Sequence, residues 1–208
     1  MLRTIQKLYK YKKPFFGINC GTVGFLMNDY KNDFLEKQIT DSKSIIVNPL
    51  VASVLSTNKM KSTLYAINEI SLLRQTKQTS SIRIFKKKRK VIDKLVGDGV
   101  LLCTPIGSTA YNYSVGGPLL KLNSEKLALT PISGFKPKNW RGEIVSNNNN
   151  LKFENLNIKR PISLVADNYE IRNVKKVSVK LNKKIEIKLF YKNNQDYTKK
   201  LKNLLKSK

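Results

Sequence analysis

From residue 62 onward the chain breaks into short apolar or alternating runs separated by turn residues: STLYAINEISLL, SIRIF, KVIDKLV, GVLLCT, LALTPI, ISLVAD, KKVSVKL and KIEIKLF. Runs of this length are strands with an apolar side, and each needs a second layer to cover that side. The pattern predicts a β-sandwich-like, two-layer domain. No sequence repeat of fixed period accompanies it. The basic run KKKRK at 86–90 falls between two alternating segments, SIRIF and VIDKLV. It is predicted to be the solvated turn of a hairpin, the alternative being a nucleic-acid patch.

The N-terminal part follows a different pattern. Leu2, Ile5, Leu8 and Tyr9 share one face at helical spacing, and Lys12-Lys13-Pro14 ends that helix. PFFGIN then reads as a short buried strand, followed by a turn that Gly21 and Gly24 punctuate. A polar, helix-compatible stretch and Ile45-Ile46-Val47 lead to Asn48-Pro49. One helix and one strand are too little material for a free-standing α/β domain. Residues 1–45 are therefore expected to be the remnant of an N-terminal α/β, Rossmann-like domain, and 46–190 the β-rich domain. At the other end, Tyr197, Leu201, Leu204 and Leu205 share a face among lysines, which predicts a C-terminal helix over 191–208 packing back on the α/β part. The fold class is mixed, α+β.

Composition excludes several chemistries. The 208 residues include no histidine and only two cysteines, Cys20 and Cys103, so neither a zinc cluster nor a Ser-His-Asp triad is available. No apolar stretch approaches the roughly 18 to 20 residues that span a bilayer, and Met1 to Lys13 lacks the apolar core of a signal peptide. A cytoplasmic location without membrane contact is expected. The formal charge of +26 is mostly lysine beside abundant asparagine and isoleucine, a bias of AT-rich coding rather than the arginine of bidentate phosphate or base readout. A nucleic-acid partner is accordingly not expected. Such a positive field still draws anionic nucleotides toward a cleft.

Three places carry candidate chemistry. In TPIGSTAY, small residues at Gly107, Ser108, Thr109 and Ala110 let a ligand approach the backbone, and Tyr111 offers a ring and a phenol. Ser114 and Gly116-Gly117-Pro118 extend the same loop. The amide and carboxylate of Asn68-Glu69, at the end of a strand, are suited to gripping ribose hydroxyls. Asp98 sits in Gly97-Asp98-Gly99. Each also fits an ordinary turn or a satisfied loop pair, and spacing alone leaves both readings open. No GxxxxGK[ST] phosphate loop occurs.

The ordered series GINCGTVGFLMN at 17–28, AINE at 66–69, DGVLLCTPIGSTAYNYSVGGPLL at 98–120, LALTPISGFKPKNWRG at 127–142 and VADNYEIRNV at 165–174 resembles the bacterial NAD kinases. The resemblance covers most of residues 1–191. It implies phosphorylation by ATP, with Mg2+ or another divalent cation on the triphosphate, of the adenosine ribose 2′-hydroxyl of NAD to give NADP. It implies that Asn68 and Glu69 hold the adenosine ribose side, that Asp98 reads the nicotinamide amide, and that Thr109, Ala110, Tyr111 and Ser114 wall the adenine and ribose. Phe25 and Ser133 match weaker pocket positions, as does Asp167, whose usual histidine neighbour is Asn168 here. A homo-oligomer, dimer or tetramer, is implied as well.

The resemblance has one departure. Similar enzymes carry a Gly-Gly-Asp-Gly loop just before a segment like MLRTI, and its aspartate is the implied activator of the 2′-hydroxyl. No residue of this chain occupies that position, so the expectation is a truncated chain without its catalytic aspartate and with impaired or no turnover. The alternatives are a non-catalytic dinucleotide-binding module and a related lipid kinase, the latter dependent on the same loop and not expected to carry TPIGSTAY.

Overall fold

A computed structural model describes residues 1–21, 24–25, 27–29 and 34–191. They fall into two compact units, one of residues 1–48 and the chain from 184 onward, the other of residues 49–183.

The first unit mixes helices and short strands. Helix α1 (Leu2–Leu8) buries Ile5 completely, whereas Leu8, placed on the same face by its spacing, is 43% exposed. A 3-10 turn (Tyr9–Tyr11) follows and stops at Lys12, whose φ of 54° is left-handed. Next come β1 (Phe15–Phe16), β2 (Ile18–Asn19), β3 (Asn28–Asp29), α2 (Leu35–Thr40) and β4 (Lys43–Val47). The strand β2 pairs in parallel with β3. The last described strand, Ile187–Tyr191, runs parallel to β1 and antiparallel to β4. Asn28 is buried between them, its amide donating to the carbonyls of Gly17 (3.1 Å) and Phe190 (3.0 Å).

The second unit is a sandwich. Its strands are β5 (Leu50–Ser56), β6 (Lys61–Ala66), β7 (Glu69–Arg74), β8 (Ser80–Lys86), β9 (Arg89–Gly97) and β10 (Gly99–Cys103), then β11 (Lys126–Ile132), β12 (Glu143–Ser146), β13 (Leu151–Asn155), β14 (Ile162–Ala166), β15 (Tyr169–Ile171) and β16 (Val174–Leu181). One six-stranded antiparallel sheet has the order β12-β11-β10-β7-β14-β15, the other β6-β5-β16-β13-β8-β9. Alternate side chains of both sheets enter one apolar core, among them Leu50, Leu72, Ile84, Leu102, Leu129, Leu151 and Val179. Burial of such side chains contributes about 1.5–3 kcal/mol apiece.

The core decides where the sheets turn. In β10, Val100 and Leu102 face the shared core, while Leu101 and Cys103 face the other way with Leu120, Ala128 and Ile132. That second apolar patch is covered by residues 104–120, which hold a 3-10 turn (Gly107–Thr109) and the short helix α3 (Tyr111–Ser114). The TPIGSTAY segment is thereby anchored to the outer face of one sheet.

Several expectations change in detail. STLYAINEISLL is two strands in different sheets, because β6 and β7 are separated at Ile67-Asn68. The KKKRK run does turn a hairpin between β8 and β9, with Lys87 at φ 57°. The expected boundary after residue 45 falls inside β4, and KIEIKLF ends as β17 (Ile187–Tyr191) in the first unit, where β1 and β4 supply its partners. Strands β5, β12, β13 and β15 are additional to the expected set, and β5 is an interior strand of its sheet, between β6 and β16. The other three are brief, and β12 and β13 flank the polar run Asn147 to Asn150. The helix expected over 191–208 lies outside the described residues from 192 onward. No helix among the described residues is long and apolar enough to cross a membrane.

Candidate functional site

The candidate residues of the second unit gather where the chain turns from strand to strand. Asn68 and Glu69 sit at the passage from β6 to β7, and Asp98 at the passage from β9 to β10. Asp167 occupies the turn between β14 and β15 with φ 49°, a left-handed conformation that aspartate tolerates better than most residues. Its carboxylate accepts three backbone N–H groups: Ile67 at 2.7 Å, Asn68 at 2.9 Å and Glu69 at 3.2 Å. The Asp167 N–H returns a bond of 3.1 Å to the Glu69 carbonyl.

The same passage is gripped from the opposite side. Thr104 donates its hydroxyl to the Ile67 carbonyl (2.7 Å) and its N–H to the Asn68 carbonyl (2.9 Å), and the Thr104 Oγ1 accepts the Gly107 N–H (3.1 Å). Gly107 lies so close that a Cβ there would stand 2.7 Å from the Asn68 Cα and nearer still to its carbonyl. Only glycine permits this approach.

Held in this way, Asn68 and Glu69 present polar atoms without partners. Asn68 Oδ1 and Glu69 Oε2 are buried and make no hydrogen bond. Burial, and secondarily the Asp167 charge, push the Glu69 carboxyl up to about 8, so it is largely neutral at pH 7. Orphaned buried polar atoms are uncommon in folded proteins, and two on consecutive residues beside a small-residue loop make this a candidate place for a ligand or water to supply the missing partners.

Tyr111 joins this group. Its ring is 36% exposed, and its phenol is raised above the usual tyrosine range by burial, then by the charges of Asp98 and Glu69. The phenol thus lies in the field of both carboxyls. Asp98 accepts a hydrogen bond and ion pair from the Arg74 Nε, and its carbonyl accepts the Arg74 N–H at 2.9 Å. Arg74 was not among the residues anticipated from sequence; its place two strands from Asp98 in sequence but adjacent in the sheet gives no linear signal.

The loop hydroxyls serve the loop itself. Thr109 donates to the Ile106 carbonyl (3.3 Å) and Ser114 to the Tyr111 carbonyl (2.9 Å), with Ala110 half-buried between them. Ser108, fully buried, donates to the Pro105 carbonyl (2.7 Å) and accepts the Leu120 N–H (3.0 Å). Asn112, also fully buried, donates to the carbonyls of Ser108 (3.3 Å) and Pro118 (3.0 Å) and accepts from Thr130 (2.7 Å). Ser108 and Asn112 are the knot that closes residues 104–120, a task that sequence spacing does not reveal. Ser133 stands exposed just after β11, at φ 46°, against Gly97. Phe25 is half-buried in the first unit. Among the described residues no group of three or more His, Cys, Asp or Glu converges as a metal cage.

The β-rich unit that carries this cluster belongs to a class of kinase domains: the ATP-NAD kinase C-terminal domain family matches residues 67–184. The NAD kinase of Rhizorhabdus wittichii is 46% identical over 194 residues, 92% of this chain and 76% of that protein. The chain belongs to the NAD kinase family. The NAD kinases of Caulobacter vibrioides and Rickettsia rickettsii are 42% and 41% identical, over 86% and 93% of this chain and 69% and 76% of theirs. Among solved structures, the Archaeoglobus fulgidus NAD kinase in complex with ATP superposes with a TM-score of 0.78 at 25% identity, covering 98% of this chain and 76% of that one. The yeast NADH kinase complexed with NADH gives 0.81 at 22% identity, a likeness of fold, and this chain spans 58% of its length.

Proposed function

We propose that the chain serves the NAD kinase reaction, transfer of the γ-phosphoryl group of ATP to the 2′-hydroxyl of the adenosine ribose of NAD to give NADP, by binding the acceptor, and that the cluster around Asn68 and Glu69 holds the NAD. The observation that carries this reading is the pair of buried, unpartnered atoms, Asn68 Oδ1 and Glu69 Oε2, held open by Asp167 and Thr104. A ribose diol supplies donors and acceptors of the right kind for both. Tyr111 stacks on the adenine, and the small residues Thr109 and Ala110 let the nucleotide lie against the backbone. Asp98, steadied by Arg74, accepts from the nicotinamide amide. Ser114 and Ser133 border the pocket, and Asp167 stands behind the pair.

Phosphoryl transfer rests on alignment and charge neutralisation more than on covalent help from the protein. The described residues fix the acceptor half of that alignment. The divalent cation, Mg2+ or a similar ion, is proposed to come with the ATP, on its triphosphate. The protein is further proposed to be cytoplasmic, and to be a homo-oligomer, the latter tested by light scattering of the purified chain.

The test of function is calorimetric titration with NAD, together with NADP formation from NAD, ATP and magnesium, which is expected to be impaired or absent in these 208 residues because none of them stands in the position of the family's Gly-Gly-Asp-Gly aspartate. NAD binding is expected in the range of ordinary enzyme substrates, about 1 μM to 1 mM, and Asn68→Ala and Glu69→Ala are expected to weaken it at least tenfold. No NAD binding by the folded wild type, or unchanged binding by both variants, overturns the proposal.

A further inference from the structure

The carboxylate of Asp167 is fully committed to the protein. Three backbone N–H groups of consecutive residues, 67 to 69, point at its two oxygens at 2.7, 2.9 and 3.2 Å. Its own N–H closes the ring on the Glu69 carbonyl at 3.1 Å. An aspartate holding φ at 49° in a tight turn is placed by its surroundings, since β14 and β15 pair on either side of it, Ala166 with Tyr169. Meanwhile β14 pairs with β7, Ala166 opposite Ile70, so the turn cannot shift without moving the strand that Glu69 begins.

We infer that Asp167 is a positioning residue: its carboxylate organises the Ile67–Glu69 backbone so that Asn68 and Glu69 face the dinucleotide, and it touches no substrate itself. This rests on the proposed function and adds a role for a residue that family resemblance places at the pocket. The physical basis is the strength of N–H bonds to an ionised acceptor, roughly double that of neutral ones, aimed at a passage where Ile67 and Asn68 lie outside both β6 and β7. Loss of the acceptor frees three amides and lets Asn68 and Glu69 turn away.

A second consequence separates positioning from mere stability. The groups facing Glu69 are Asp167 from the β14–β15 turn, Cys103 from β10 and Tyr111 from α3. Of these it is Asp167 whose charge adds to burial in holding Glu69 in its protonated form. Removing that charge moves the Glu69 titration to lower pH.

The experiment is titration of NAD into the wild-type 208-residue chain, Asp167→Asn and Asp167→Glu across pH, with thermal melts as fold controls. Wild-type binding comes first, because its absence defeats the function reading and leaves positioning without an object. Given wild-type binding, D167N is expected to weaken NAD roughly 10- to 100-fold, the scale for displaced site groups, and to shift the pH dependence of affinity downward. D167E, with the charge kept and the carboxylate displaced by one methylene, is expected to weaken NAD while retaining the wild-type pH dependence. Wild-type affinity in folded D167N, or weakened affinity with an unmoved pH dependence, overturns the inference. Should D167N not fold, wild-type affinity in D167E overturns it instead.

Discussion

Gly107→Ala tests the closest backbone approach in the site. The new Cβ would stand 2.7 Å from the Asn68 Cα, with the Asn68 carbonyl nearer still, where ordinary carbon contacts need about 3.5–4.0 Å. All three obstructing atoms are backbone, so no side chain can swing aside. The segments 67–69 and 104–110 must part by roughly 1 Å, against the Thr104 bonds that tie them together. Overpacking of this kind costs about 2–3 kcal/mol, which for a chain of this size lowers Tm by roughly 5–10 °C. The same displacement carries Asn68 away from Tyr111 and is expected to weaken NAD binding about 10- to 100-fold. Gly116→Ala is the matched control: nothing lies within 4 Å of its Cβ, and its φ of +80° costs about 1 kcal/mol of backbone strain. Differential scanning fluorimetry and NAD titration of the two variants read both effects. A G107A protein within about 0.5 kcal/mol of wild type and with unchanged NAD affinity would refute the steric argument, as would a G116A protein damaged more severely.

Other outcomes follow from the same structure. Asn112→Ala removes three buried hydrogen bonds and leaves Thr130 and two carbonyls unanswered, so urea denaturation is expected to show a loss of about 3 kcal/mol; a loss below about 1 kcal/mol would mean that the loop knot contributes little. The Glu69 carboxyl, raised from 4.5 to about 8, keeps its proton in the folded state over a range where the unfolded state has lost it. Wild-type stability should therefore decline as pH rises between those two values and level off above about 8, because the folded state binds more protons there. Glu69→Gln lacks this titration, so its stability should gain on wild type over the same window; parallel curves for the two proteins in urea melts would contradict the assignment. Burial pushes the Cys103 thiol up to about 12, whereas Cys20 is exposed. Iodoacetamide at mildly alkaline pH is expected to alkylate Cys20 in the folded protein and Cys103 only in urea, read by peptide mass spectrometry, and rapid labelling of native Cys103 would show its environment to be open.

Much of the sandwich is legible in the residue pattern, because period-two alternation directly records which side of a strand meets an apolar layer. GVLLCT is the informative exception. Its unbroken apolar run reflects burial on both faces: Val100 and Leu102 meet the shared core, and Leu101 and Cys103 meet the patch under residues 104–120. β12 and β15 are harder to see, since a brief edge strand buries little and its residues need not alternate. The site is legible only as a set of residue types in order. TPIGSTAY, Asn68-Glu69 and Asp98 mark it through resemblance, while their individual spacing fits plain turns equally well.

The sequence alone determined that a two-layer β domain would form, that zinc and triad chemistry were closed to a chain without histidine, and that a small-residue loop would lie near Tyr111. Tertiary structure decided which polar groups stay available. Asp98 and Arg74, Asp167 and the amides of 67–69, and Ser108, Asn112 and Thr130 are all engaged with one another, and each set joins segments far apart in the chain. Asn68 Oδ1 and Glu69 Oε2 are buried without hydrogen-bond partners. Hydrophobic alternation is a local property and survives in the linear string. Hydrogen-bond satisfaction is a property of the packed whole, because it depends on which distant backbone groups reach a side chain once the sheets have closed.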